Sequence, residues 1–158
     1  MYTSQNGLDL IIYFEGIVFK AYPDPGTKKD PVKKGEPWTI GIGTTVYPNG
    51  EKVKEGDVIT KEQALNFLKY DVKSFENVIN KSVSKYLSQN QFDALVSFVY
   101  NVGPTNFKKS TLLKKVNLDP NDPLIGMEFN QWTRANKKVL PGLVKRRRAE
   151  ADLYFKIY

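Results

Sequence analysis

Apolar residues first recur at helical spacing over Leu8, Ile11, Ile12 and Phe14, so residues 3–15 read as a helix. Thr3 or Ser4 can cap it and Gly16 can stop it. The period is lost between residues 17 and 59, where Pro23, Pro25, Gly26, Gly35, Pro37, Gly41, Gly43, Pro48, Gly50 and Gly56 break the chain. Short β-prone runs lie between these breakers: Val18-Phe19, Trp38-Thr39-Ile40 and Thr44-Thr45-Val46-Tyr47. Pro48-Asn49-Gly50 carries the Asn-Gly hairpin signal. The segment therefore reads as a small antiparallel sheet. Within it, the Lys-rich stretch 25–37 reads as an exposed loop or hairpin, or alternatively as a basic flap beside a substrate groove.

The helical period returns at Thr60. Thr60-Lys61-Glu62-Gln63 has capping-box spacing, and Leu65, Leu68, Val72, Phe75 and Ile79 follow on one face of a long helix. Ser88-Gln89-Asn90-Gln91 is a second capping box, followed by Phe92, Leu95, Val96 and Val99 until Asn101-Val102-Gly103-Pro104 stops the helix. Further helices are expected near 107–117, 122–133 and 141–156, the last with Pro141 in its first turn. The pattern predicts an α+β fold: an N-terminal helix plus a small antiparallel sheet lobe, joined by a long helix to a helical C-terminal lobe. It is expected to form one domain over 1–158, with lobes about 1–59 and 80–158 linked by a helix about 61–80. The crevice between lobes is then the default place for a ligand.

A chain of 158 residues is long enough for one hydrophobic core. Composition then narrows the chemistry. There is no His and no Cys. Ser-His-Asp and Cys-His nucleophile systems are excluded, as are the usual Cys/His zinc sites and disulfides. Acid–base chemistry falls to carboxylates, Tyr or Lys. Lys and Arg total 24 against 17 Asp and Glu, a net charge of +7, which favours anionic partners: nucleic acid, anionic lipid or an acidic polymer. The apolar stretch from Leu8 to Phe14 is too short to span a bilayer and carries Asp9, with Glu15 behind it. No signal peptide is evident, so the chain is expected in the cytoplasm unless another route opens.

Two carboxylates stand in unlike surroundings. Glu15 ends an apolar helix and is followed by Gly16-Ile17-Val18-Phe19, so desolvation and the negative end of the helix dipole would both favour the protonated carboxyl. Asp24 follows nine residues later in Tyr22-Pro23-Asp24-Pro25-Gly26, a polar turn that favours the ionised form. Such a pair, set either side of a bond, is what glycoside hydrolysis requires.

Phe14-Glu15-Gly16, then Lys20-Ala21-Tyr22-Pro23-Asp24, then Trp38-Thr39-Ile40-Gly41-Ile42-Gly43-Thr44 closely resemble the N-terminal pattern of phage-type lysozymes, the endolysins of glycoside hydrolase family 24. The resemblance continues through the stretches 88–103, 107–113 and 140–150, in the family's order. It implies a lysozyme-like fold, with Glu15 as general acid, Asp24 as second carboxylate and Thr39 as the residue that helps place the attacking water. It implies that Asn101 is a polar groove residue and that Tyr100 and Ser110 line the sugar-binding cleft. The residues alone allow Tyr100 to be a core aromatic and Ser110 a helix N-cap. No cofactor or metal is implied.

Two departures from the family pattern stand out. The interval from Asp24 to Thr39 is longer than usual because the Lys-rich loop lies in it, and Thr44 stands where the family commonly has His. The second predicts that some pH dependence of stability is missing. Arg146-Arg147-Arg148 reads as a solvated charged face on a helix whose buried side is Leu143, Ala149 and Leu153/Tyr154. The resemblance adds that Arg146 packs towards the first helix.

The leading expectation is therefore an N-acetylmuramidase acting on peptidoglycan glycan strands by inversion, a monomer without nucleic-acid binding or stable membrane insertion. It would wait in the host bacterial cytoplasm until a separate holin-like membrane protein releases it to the wall. The rival readings are a catalytically inactive peptidoglycan-binding module and a basic nucleic-acid-binding domain. Neither of these accounts for Glu15, Asp24 and Thr39 together.

Overall fold

The computed structural model describes residues 1–156. The elements in chain order are α1 (Gln5–Glu15), β1 (Val18–Tyr22), β2 (Thr39–Gly41), α2 (Lys61–Ser82), α3 (Gln89–Val102), α4 (Pro104–Lys109), α5 (Thr111–Leu118), α6 (Ile125–Asn130), β3 (Arg134–Ala135), β4 (Lys138–Val139) and α7 (Pro141–Tyr154). They fall into two compact units, one of Ile12–Asp71 and one of Met1–Ile11 with Val72–Tyr158.

In the Ile12–Asp71 unit, β1 and β2 pair antiparallel with Val18 opposite Gly41 and Tyr22 opposite Thr39, the ladder being irregular between these pairs. Residues 57–59 bond β1 as well: Ala21 N donates to Asp57 O (3.0 Å) and Ile59 N to Phe19 O (2.9 Å). Ala21, Ile40, Val53, Ile59 and Ala64 form the core, with Ile17, Trp38, Tyr47 and Phe67 packed on it. The expected run Thr44–Tyr47 makes only isolated bridges, Ile40 to Thr44 and Val46 to Lys52. Gly41 and Gly43, at φ 65° and 83°, turn the chain back on Ile40 too sharply for a longer ladder. Thr60 caps α2 as expected: its hydroxyl accepts from Gln63 N (3.1 Å), and Gln63 Oε1 accepts from Thr60 N (2.9 Å).

In the other unit, α3 is the central element. Every residue from Asn90 to Val99 is buried, so this stretch of helix has no solvent face. Its capping box at Ser88 and Gln91 forms as the sequence predicts. The Phe98 ring meets Phe107, Phe129 and Trp132 edge-on, with centroids 6.3, 5.4 and 5.7 Å away. The helix expected near 107–117 is two helices. Ser110 adopts an extended backbone, accepts from Leu113 N (3.0 Å) and donates its hydroxyl to Phe107 O (2.7 Å). The β3–β4 hairpin falls where no strand is expected; its turn residues Asn136 and Lys137 have φ 50° and 66°. Strands of two residues leave no period to read, and Asn-Lys is a weaker hairpin signal than Asn-Gly.

The lobe boundary expected at residue 59 also moves. Residues 1–11 belong with the C-terminal helices because buried carboxylates there bind the chain's start. Thr3 N and Oγ1 donate to Glu76 Oε1 (2.8 and 2.7 Å). Ser4 N donates to Asp93 Oδ1 (2.9 Å) and the Ser4 hydroxyl to Asp93 Oδ2. Such long-range polar pairing leaves no mark on hydrophobic period. A Cβ built at Gly7 would lie 2.9 Å from Asp93 Cγ and 2.6 Å from Thr3 Cγ2, so this close packing requires glycine. Gly7→Ala should lower stability by about 1–3 kcal/mol through overpacking, despite alanine's higher helix propensity. Urea denaturation checks this, and a stabilised variant would refute the packing argument.

Candidate functional site

Glu15, Asp24 and Thr39 all lie in the Ile12–Asp71 unit. Glu15 is the last residue of α1, and Gly16, at φ 71°, turns the chain out of the helix while its N–H bonds Ile12 O (2.8 Å). Two residues later β1 begins. Asp24 stands two residues past the end of β1, and Thr39 is the register partner of Tyr22. Antiparallel partners sit about 4.5–5.5 Å apart at Cα, so the sheet delivers Thr39 to the Asp24 end of β1.

Asp24 is half-buried. Its Oδ1 accepts from Gly26 N (2.6 Å), and its backbone N–H donates to Gly35 O (2.8 Å). Its Oδ2 has no hydrogen-bond donor among the described residues. The carboxylate is thus anchored by one oxygen and presents the other. Glu15 is exposed, which corrects the expectation of a desolvated carboxyl. The apolar residues that suggested burial do not cover it: Val18 and Phe19 are themselves 38% and 45% exposed.

The 25–37 loop folds on itself. Gly35 N donates to Thr27 O (3.0 Å), and the Thr27 hydroxyl donates to Glu36 O (2.6 Å). The Asp30 carboxylate accepts from Val32 N and Lys33 N (2.8 and 3.1 Å). Lys28, Lys29, Lys33 and Lys34 are all exposed.

Thr44 is buried, and its hydroxyl donates to Asp71 Oδ2 at 2.9 Å. Where a histidine could set an ion pair, this chain has a neutral donor. Burial pushes the Asp71 carboxyl above its ordinary range, with the Thr44 hydrogen bond opposing it.

The other unit holds Tyr100, Asn101 and Ser110. Tyr100 is half-buried, its ring 5.1 Å from that of Phe75. Asn101 is exposed on the last turn of α3. Ser110 is only 3% exposed and its hydroxyl serves the α4–α5 junction, so it acts here as a cap. The arginine run is not a solvated face. Arg148 is exposed, but Arg146 and Arg147 are buried with Glu150. Glu150 Oε1 accepts from Ser97 Oγ (2.7 Å) and Arg146 Nε (3.1 Å), and its Oε2 lies 3.1 Å from Arg147 Nε. The Arg147 guanidinium lies 4.9 Å over the Phe98 ring and donates from Nη2 to Asn101 Oδ1 at 2.7 Å. Burial pushes Arg147 down to about 10, with Glu150 opposing, so it stays charged at neutral pH. Burial pushes Glu150 up against the pull of both guanidiniums and the Ser97 hydroxyl. The sequence reading missed this cluster. Its one legible sign was Glu150 at three and four residues from the two arginines.

The phage lysozyme family profile matches residues 12–150. The chain is 39% identical over 158 residues to an endolysin of Acyrthosiphon pisum secondary endosymbiont phage 1, covering 98% of each chain. It is 41% identical over 154 residues to an endolysin of Bacillus phage PZA, covering 98% of this chain and 55% of that one, so it spans about half of the longer relative. Among solved structures, a mutant of P22 lysozyme superposes with a TM-score of 0.84 at 35% identity over 99% of both chains. A lysozyme-type α+β fold, shared over nearly the whole chain with these proteins, defines the class. The chain belongs to the phage lysozyme family.

Because the folded state raises Asp71's proton affinity, it binds more protons than the unfolded chain just above the ordinary carboxylate range. Stability therefore falls as pH rises through that window. Asp71→Asn keeps an acceptor for Thr44 and removes the charge. It should match or exceed the parent's stability at pH 7, with the difference shrinking as pH falls towards about 4. Thermal melts across pH check this, and a variant advantage confined to acid would overturn the sign.

Proposed function

We propose that the protein is an N-acetylmuramidase that hydrolyses the β-1,4 bond between N-acetylmuramic acid and N-acetylglucosamine in bacterial peptidoglycan and so lyses the cell. The observation that carries this reading is the β1–β2 register, which sets Thr39 beside the Asp24 end of the strand that follows Glu15. Glu15 protonates the glycosidic oxygen. It sits at the C-terminal end of α1, exposed and open to a glycan. Asp24, held by Gly26 N, offers its second oxygen to a water on the opposite sugar face and to the positive charge that grows on the ring. The Thr39 hydroxyl holds that water, which suits an inverting displacement with the carboxyl groups about 6.5–9.5 Å apart. Tyr100 and Asn101 contact the sugars. No cofactor takes part.

The net charge of +7 draws the protein to an anionic wall. No described helix is long and apolar enough to cross a membrane. Release from the host cytoplasm by a separate holin-like membrane protein fits that reading, and the protein acts as a monomer.

Glu15→Gln should lose about 10²–10⁴-fold in lytic rate with an unchanged melting temperature, since the amide cannot give up a proton. Turbidity clearing of cell walls checks it, and parent-like clearing would remove Glu15 from the mechanism. Replacing Lys28, Lys29, Lys33 and Lys34 together by Gln should slow lysis at low salt and converge on the parent at high salt. The reason is that exposed charge steers over about a Debye length, ~10 Å at 0.1 M. An equal loss at every salt concentration would instead make the loop part of the reacting site.

A further inference from the structure

Asn101 and Arg147 form a directional pair. A guanidinium has only donors, so the oxygen of the Asn101 amide must be the atom that faces Arg147 Nη2 at 2.7 Å. This settles which end of the amide points outward. Arg147 itself is 0% exposed, stacked over Phe98 and held 3.1 Å from Glu150 Oε2, so it cannot swing to release the amide. Glu150 is fixed in turn by Ser97 and Arg146. Asn101 Nδ2 has no acceptor among the described residues, and Asn101 is exposed. A rigid chain of Glu150, Arg147 and Asn101 thus ends in an outward-facing N–H donor that cannot flip into an acceptor.

We infer that Arg147 is a positioning residue that makes Asn101 a fixed hydrogen-bond donor, selecting the carbonyl oxygen of a sugar's N-acetyl group. A sugar hydroxyl can donate or accept and would not discriminate between the two amide orientations. An acetamido carbonyl can only accept, and an ammonium, left when the acetyl group is removed, can only donate. A pinned donor therefore welcomes the acetylated glycan and rejects the de-N-acetylated one. The inference rests on Asn101 contacting the glycan, as proposed above.

The test uses soluble peptidoglycan glycan strands, intact and de-N-acetylated, with steady-state kinetics at high salt to suppress long-range charge effects. Asn101→Asp keeps an oxygen for Arg147 and loses the donor. Its melting temperature should equal or exceed the parent's, while KM on intact strands rises about tenfold, as for one lost hydrogen bond, and kcat holds. Its preference for intact over de-N-acetylated strands, taken as the ratio of kcat/KM, should fall about tenfold relative to the parent's. Arg147→Lys keeps the charge near Glu150 but not the second arm, so in folded protein it should raise KM in the same way. If that variant does not fold, Asn101→Asp carries the test alone. Parent-like KM and parent-like preference in Asn101→Asp would overturn this inference while leaving the muramidase reading standing. Failure of the parent to cleave intact strands would overturn the muramidase reading itself.

Discussion

One carboxylate organises the interior of the unit built around α3. Glu150 brings two guanidinium groups out of water and gives each a partner, while Ser97 on α3 closes the set. Removing one member of a buried pair leaves an uncompensated charge, so the cluster stands or falls together. It also ties α7 to α3 by bonds with direction, where the surrounding Phe98, Phe107 and Phe129 supply area without direction. Packing alone tolerates rotation of a helix about its axis; an Arg–Glu–Ser set does not. The exposed end of α3, with Asn101, inherits that fixed angle.

The Ile12–Asp71 unit solves a different problem. With neither imidazole nor thiol in the chain, the chemistry proposed for it rests on two carboxylates and a hydroxyl. Those must be placed by backbone alone, since a chain without Cys has no disulfide frame to hold them. A helix end, a five-residue strand and a three-residue strand do this. A one-residue slip of β2 would send Thr39 to the opposite face of the sheet. Burial of Ile40 in the core beside Ala21 and Ile59 guards against that slip, because the same shift would expose Ile40.

Much of this was legible in the residues. The two capping boxes, the long amphipathic helix and the stop at Gly103-Pro104 all rest on local signals. Local signals survive folding because they are satisfied within a few residues. What was not legible depended on distant partners. Arg146 and Arg147 read as solvated because a run of charge on a helix ordinarily belongs in water; Ser97, reaching Glu150 from another helix, helps close the buried cluster that reverses that. Residues 1–11 join the C-terminal helices through Glu76 and Asp93, far along the chain. The Glu15 expectation failed for the converse reason: apolar neighbours in sequence need not cover a residue in space, and Val18 and Phe19 just after it face solvent. At Ser110 the local reading, a cap, describes the observed bonds.

The loop between Asp24 and Thr39 closes at its own neck, where Asp24 N meets Gly35 O and Gly35 N meets Thr27 O. A Cβ at Gly35 would fall 2.6 Å from Pro23 Cβ, so the neck is also tight. Such a clasp uncouples the length of the loop from the spacing of the two residues that flank it. Each doubling of a flexible loop adds only about 0.6 kcal/mol of closure entropy. The stretch from Lys28 to Lys34 is thus a natural graft point, where a foreign recognition segment could be inserted beyond the clasp while the frame beneath it keeps its dimensions.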